Sequence, residues 1–339
     1  MPSFLILSLC AIFVDPASLH SQEAKSAVEP ATTKPTSNDE DTSVVEKIDY
    51  SNAGVTFSNP VRNRWQVGVK IKGGSRPASK MLITIPVPNE WPEQTVQVYE
   101  EILSNHVDSV KYRELNSGVK QLVATIPKVR ANQIITMGVT FEVVTKQINA
   151  PSDPTIFEVP RKISKDIKDY LGVSPQISYR NAKLRKQVKA LIEDKDSAWE
   201  KVETIYDWVK DNIEYRNSEP ADCLSVFRKK HGCAEDLSGL FVAMCRSAKI
   251  PARMVFAEGN MYAEFYLVDP ERNGHWFPCN VAGRRQFGSM VEPRIILQKG
   301  DNIKVPEKKE RQKYCAEFVM GNGPIKPTVV FVRELLPAN

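Results

Sequence analysis

The apolar positions of this chain change period partway along it. From about residue 46 to 150 they recur at every second position. Trp65, Val67, Val69 and Ile71 alternate with Gln66, Gly68 and Lys70, and Ile135, Met137, Val139, Phe141 and Val143 repeat the pattern. Alternation of this kind fits strands with one face on a core and the other in water. LVATIP and VQVY add shorter candidates, and GGSRP, PVPNEWP and NSG punctuate them. Short strands with regular breaks predict an antiparallel β-sandwich over 46–150. No constellation of reactive side chains falls there, so the segment reads as a structural or binding module.

From about residue 180 the period lengthens to that of a helix. Leu184, Val188, Leu191 and Ile192 share one helical face. Ser197 and Glu200 have the spacing of a capping box, ahead of Val202, Ile205, Tyr206, Val209 and Ile213. A third helix follows Gly232, with Leu237, Leu240, Phe241, Met244 and Ala248 on one side, and it stops before Pro251. MYAEFYLVD and HWFPCN then flank PERNG, which reads as a hairpin. Three helices followed by antiparallel strands predict an α+β domain. The charged run KVPEKKERQK after residue 300 reads as a solvated helix or loop.

The first 45 residues belong to neither pattern. Residues 4–14, FLILSLCAIFV, are an unbroken apolar run, too short to span a bilayer and suited to the core of a signal peptide. Small residues at Ala17, Ser18 and Ser21 permit cleavage near Ser21, although the MPS start lacks a basic residue. Residues 22–45 are rich in Ser, Thr, Pro and charge and read as a disordered linker. The expected organisation is a signal peptide at 1–21, a linker at 22–45, the sandwich at 46–150, a second domain at 151–320 and a C-terminal tail at 321–339. Export to the periplasm or beyond follows, with no transmembrane segment after cleavage.

A chain of 339 residues suits about two domains, and a net charge of +5 with scattered basic residues gives no case for a nucleic-acid partner. Six cysteines occur, at 10, 223, 233, 245, 279 and 315. Loss of a signal peptide leaves an odd number, so at least one thiol stays unpaired or pairs between chains. There is no CxxC pair, no acidic cluster resembling a calcium loop, and only four histidines, so no metal or cofactor is expected.

The remaining candidate chemistry is at Cys233. It precedes a helix, whose free N–H groups and dipole favour a thiolate, and its own amide could face an oxyanion. Glu235 and Asp236 in the first turn oppose the thiolate. On spacing alone both a nucleophile and a buried structural thiol fit.

Taken together, GCAEDLSGLFVAMCRSAKIPARMV, the upstream IYDWVKDNIEY and the downstream YAEFYL and HWFPCN resemble the transglutaminase-like core domain over roughly residues 180–285. The resemblance implies a papain-like fold and acyl transfer through a Cys-His-Asp triad, with Cys233 as the nucleophile. Two positions depart from the family pattern. Its histidine falls on Asn260 and its aspartate on Asn280. An asparagine can orient an imidazole, as in papain-like triads. An amide at 260 cannot act as the acid or base, and the thiolate loses its ion-pair partner. Pairing Asn260 with Asn280 across the hairpin puts His275 opposite Phe265, on the other sheet face and about 16 Å from Asn280 at roughly 3.3 Å per residue. His231, two residues before Cys233, is a weaker substitute base. Two functions remain: an exported, catalytically impaired module that binds a peptide, protein or cell-wall peptide, and an active cysteine acyltransferase or peptidase with an altered base.

Overall fold

The computed structural model describes residues 53–336. The expected signal peptide and linker lie outside the described residues. Six long strands come first: β1 (Thr56–Lys72), β2 (Ala78–Val87), β3 (Gln94–Leu103), β4 (Ser109–Glu114), β5 (Lys120–Val129) and β6 (Ile134–Asn149). Helices then alternate with short strands: α1 (Lys165–Lys168), α2 (Ala182–Ile192), α3 (Ala198–Asn212), β7 (Glu214–Tyr215), α4 (Cys223–Lys229), β8 (His231–Gly232) and α5 (Ala234–Ser247). Strands close the chain: β9 (Ala252–Ala257), β10 (Asn260–Val268), β11 (Gly274–Asn280), β12 (Gln286–Phe287), β13 (Ile296–Lys299), β14 (Phe318–Asn322) and β15 (Thr328–Leu336).

The front strands form two four-stranded antiparallel sheets, ordered β15-β1-β6-β3 and β14-β2-β5-β4. Both sheets contribute to one apolar core. Trp65, Val67, Val69 and Ile71 of β1 meet Ile83, Ile85, Leu122 and Ile126 of the other sheet, with Met137, Val139 and Phe141 of β6 beside them. The period-two residues are thus the buried ones. The outermost strands correct the expectation of a C-terminal tail: Phe318–Asn322 and Thr328–Leu336 each add a strand to a front sheet. Val329 and Phe331 pack half-buried against the core, which gives this segment the apolar anchor a tail lacks. The charged run near 305–313 is irregular chain rather than helix.

In the second half, β12-β11-β10-β9-β13 form a five-stranded antiparallel sheet. Helices α2, α3 and α5 share a core with its odd-numbered β10 and β11 residues: Ala263, Phe265, Leu267, Phe277 and Cys279. The capping box forms as its spacing predicts, with the Glu200 N–H donating to Ser197 Oγ and the Ser197 N–H to Glu200 Oε2. That start seats Trp199, Val202, Ile205, Tyr206 and Val209 in the core. Helix α5 differs from the one-sided reading. Every residue from Asp236 to Arg246 is buried, because small Ser238, Gly239 and Ala243 let neighbours close over the side expected to face water.

The described residues belong to one compact unit. Three buried links explain this. Gln94 and the Ile296 backbone exchange two hydrogen bonds, of 2.9 and 2.6 Å. Ile148 and Met290 pair through their backbones. Lys299 on β13 bonds Glu93 from the front half and Glu264 on β10 together. No helix among the described residues is long and apolar enough to cross a membrane.

Candidate functional site

Cys233 is the N-cap of α5, in extended backbone and half-buried. Gly232 precedes it for a steric reason and not for an unusual dihedral. A Cβ there would lie 2.7 Å from Asp236 Cβ and 2.8 Å from its Oδ2. The missing side chain lets Asp236 fold back over the start of the helix. Asp236 Oδ2 accepts the Cys233 N–H at 3.0 Å, and Oδ1 accepts the Ala221 N–H at 2.7 Å. This carboxylate is 3% exposed and fully engaged.

The consequence for the sulfur is electrostatic. Burial pushes the Cys233 thiol up; the Asp236 amide pulls it partly back, and the Asp236 carboxylate pushes it up again. The amide expected to face an oxyanion is already donated to an anion. Asp236 was legible in the sequence as an opponent of the thiolate. Its hold on the Cys233 amide also had a signal, since an acidic residue three positions after an N-cap is the capping-box spacing.

Asn260 begins β10 and pairs with Ala257 across a tight turn from β9. It lines a cavity of about 580 Å³ together with Glu235 from the first turn of α5. Trp65, Phe256, Leu297 and Tyr314 supply apolar walls that sequence reasoning did not associate with the site, because β1, β9, β13 and the 301–317 loop bring them from four separate segments. The Trp65 indole N–H is buried without a partner. Glu235 is itself ion-paired with Lys313.

Asn280 ends β11, 9% exposed, with its Oδ1 also buried and unpartnered. Its backbone carbonyl accepts the Tyr206 hydroxyl at 2.8 Å. The β10–β11 register pairs Ala263 with Cys279, so Asn280 falls opposite Tyr262, two residues from the expected partner Asn260. A shift of two preserves parity, and Asn260 and Asn280 occupy one face of the sheet. The residues alternating with them are those in the core with α5. Among the described residues no hydrogen bond joins the side chains of Cys233, Asn260 and Asn280.

The two remaining histidine candidates have partners on other elements. His275 pairs opposite Leu267 rather than Phe265, and Nε2 lies 2.9 Å from Asp269 Oδ2. Its ring meets Phe157 edge-on at 5.4 Å, and Gly54 packs against it. It braces the hairpin turn. His231 pairs with Glu214 in the short parallel β7–β8 ladder. Cys223, Cys245, Cys279 and Cys315 are buried free thiols. No group of three or more His, Cys, Asp or Glu suited to a metal occurs among the described residues.

Comparisons with known proteins fit this geometry. A family model, the transglutaminase-like superfamily, matches residues 185–281. No curated protein matches the chain. A solved structure of a proposed cysteine protease from Cytophaga hutchinsonii is 18% identical, with a TM-score of 0.57, over 84% of this chain and 94% of that one. At that identity the likeness is one of fold. A proposed protease from Parabacteroides distasonis is 13% identical over 65% of this chain and 43% of that one, and its TM-score of 0.28 supports no comparison of fold. With the central α5, the strands β9 to β11 and Cys233 at the helix start inside the matched segment, residues 185–281 form a transglutaminase-like domain.

Proposed function

We propose that this protein is a catalytically impaired transglutaminase-like module that binds peptide-like ligands in the cavity between Glu235 and Asn260. Its finer architecture is then a papain-like domain built onto a β-sandwich. The observation that carries the reading is the Asp236 cap. Acyl transfer needs donors aimed at the developing oxyanion in a site of low dielectric. Here the Cys233 amide is bound to a carboxylate, and a negative charge stands where an anion would have to form. Asn260 adds a second obstacle, since no amide side chain shuttles a proton near neutral pH. A peptide suits the cavity between Glu235 and Asn260. Trp65, Phe256, Leu297 and Tyr314 offer apolar contact.

Iodoacetamide labelling of Cys233 across pH tests the proposal. The expected alkylation midpoint lies at or above that of an ordinary cysteine, about 8.5, with no acyl transfer to peptide amines. A midpoint well below 8, or acyl transfer that disappears in Cys233→Ala, would establish a working enzyme with an unrecognised base.

Export remains part of the same proposal and rests on the apolar run at residues 4–14. N-terminal sequencing of the protein from its own host is expected to begin near residue 22. A mature chain still starting at Met1 in the cytoplasm would remove it.

A further inference from the structure

A second cavity, of about 860 Å³, opens at the other end of α5. That end is about 20 Å from Cys233, at 1.5 Å per residue over the helix. Arg161, Arg185 and Lys249 line it, and Val159, Ile163 and Leu171 form half-buried apolar walls. These residues converge from three places: the chain after β6, helix α2, and the turn that ends α5, where Lys249 takes a left-handed conformation with φ of 62°.

Two features distinguish this cavity from an ordinary solvated surface. The first is an excess of positive charge. Residues 159–192 hold nine Lys and Arg against two Asp, in a chain whose net charge is +5, so the imbalance is concentrated here. No acidic residue lines the cavity. The nearby carboxylates are already used: Glu158 pairs with Arg272 at 2.7 Å, and Asp301 holds the buried Arg246. Arg161, Arg185 and Lys249 are exposed, and the one electrostatic partner found for them among the described residues is Glu158, whose carboxyl Arg161 lowers less than Arg272 does. Guanidinium groups in this state match carboxylate and phosphate oxygens in bidentate geometry. The second feature is the apolar walls, which a purely ionic ligand would leave unused. The volume falls in the range of sites for small organic ligands.

We propose that this cleft binds amphipathic organic anions, with the charged head on Arg161, Arg185 and Lys249 and the apolar body against Val159, Ile163 and Leu171. The shared chemistry is a phosphate or carboxylate on an alkyl or aryl body, either free or as a membrane lipid. The site is separate from Cys233 and stands whether or not Cys233 is catalytic.

Titration calorimetry with octyl phosphate below its micellar concentration tests this on the whole chain. A single saturable site is expected. Inorganic phosphate and the neutral octyl glucoside should each bind at least tenfold more weakly, since each lacks one half of the match. The variant R161Q/R185Q/K249Q should lose at least tenfold in octyl phosphate affinity while keeping the wild-type circular dichroism spectrum and Cys233 labelling rate. Co-sedimentation with phosphatidylglycerol vesicles, lost in the same variant, would identify a membrane lipid as the source. Octyl phosphate binding without sedimentation would identify a free amphiphile. The proposal is overturned by the absence of saturable binding, by equal affinity for inorganic phosphate, or by unchanged affinity in the folded triple variant.

Discussion

Replacement of Lys299 by methionine is expected to destabilise the protein by about 3–5 kcal/mol, the cost of breaking a buried ion pair from one side. Lys299 is 3% exposed and bonds two carboxylates, Glu93 and Glu264, that are themselves buried. Glu264 would keep Arg253 at 2.7 Å, but Glu93 has no second ion-pair partner among the described residues. The methionine fills the stem's volume, so the loss reports the stranded charge rather than a cavity. Urea denaturation at neutral pH is the measurement, with Glu93→Gln/Lys299→Met expected to recover part of the loss. A loss under about 1 kcal/mol would mean that water reaches these charges.

The same group fixes a pH dependence. Burial alone would raise the Glu264 carboxyl, but Arg253 and Lys299 outweigh it and hold it below its ordinary value of 4.5. A carboxyl lowered in the folded state contributes stability above its unfolded pKa and loses it as pH falls through the folded one. Wild-type stability should therefore decline below about pH 4.5, and less steeply in Lys299→Met, where one of the two cations is gone.

The second large effect is expected at the thiol. Asn260→His with Asp236→Asn should speed Cys233 alkylation at pH 7 by roughly 10–100-fold, one to two pKa units at tenfold each. Asp236→Asn removes the carboxylate that raises the thiol and frees the Cys233 amide from an anion. Asn260→His brings a cation to the cavity that reaches the first turn of α5. The histidine alone should do less, since the carboxylate would remain. Asp236→Asn also weakens the cap, because one amide oxygen cannot accept both N–H groups, so denaturation is run beside labelling. A folded double variant with wild-type reactivity would show that position 260 does not address Cys233.

The parts of the fold readable from sequence are those set by neighbours along the chain. The Ser197–Glu200 box, the alternation of β1 and β6 and the β10–β11 hairpin are local patterns, and each appears as read. What was not legible depends on distant partners. Helix α5 is buried all round because a sheet and three helices pack on it, which its own periodicity does not encode. The β10–β11 register is set by the turn, where Asp269 binds Asn273 and His275, and so it moved by two residues. At the site, the opposition of Asp236 to the thiolate was legible. The Trp65, Leu297 and Tyr314 walls were not, since Trp65 comes from a segment far earlier in the chain than the other two.

The late strands β14 and β15 bear on how the chain is made. They pair with β2 and β1, so the first and last parts of the described chain share two ladders. Until the ribosome has released residue 336, β1 and β2 present open edges, which in a nascent chain can recruit the wrong strand. Pairings so remote in sequence also close slowly, since loop entropy is spent before any contact forms. The front sheets therefore cannot mature early while synthesis continues. Closure of these sheets waits for residue 336, which leaves a long interval in which a chaperone can hold the chain unfolded.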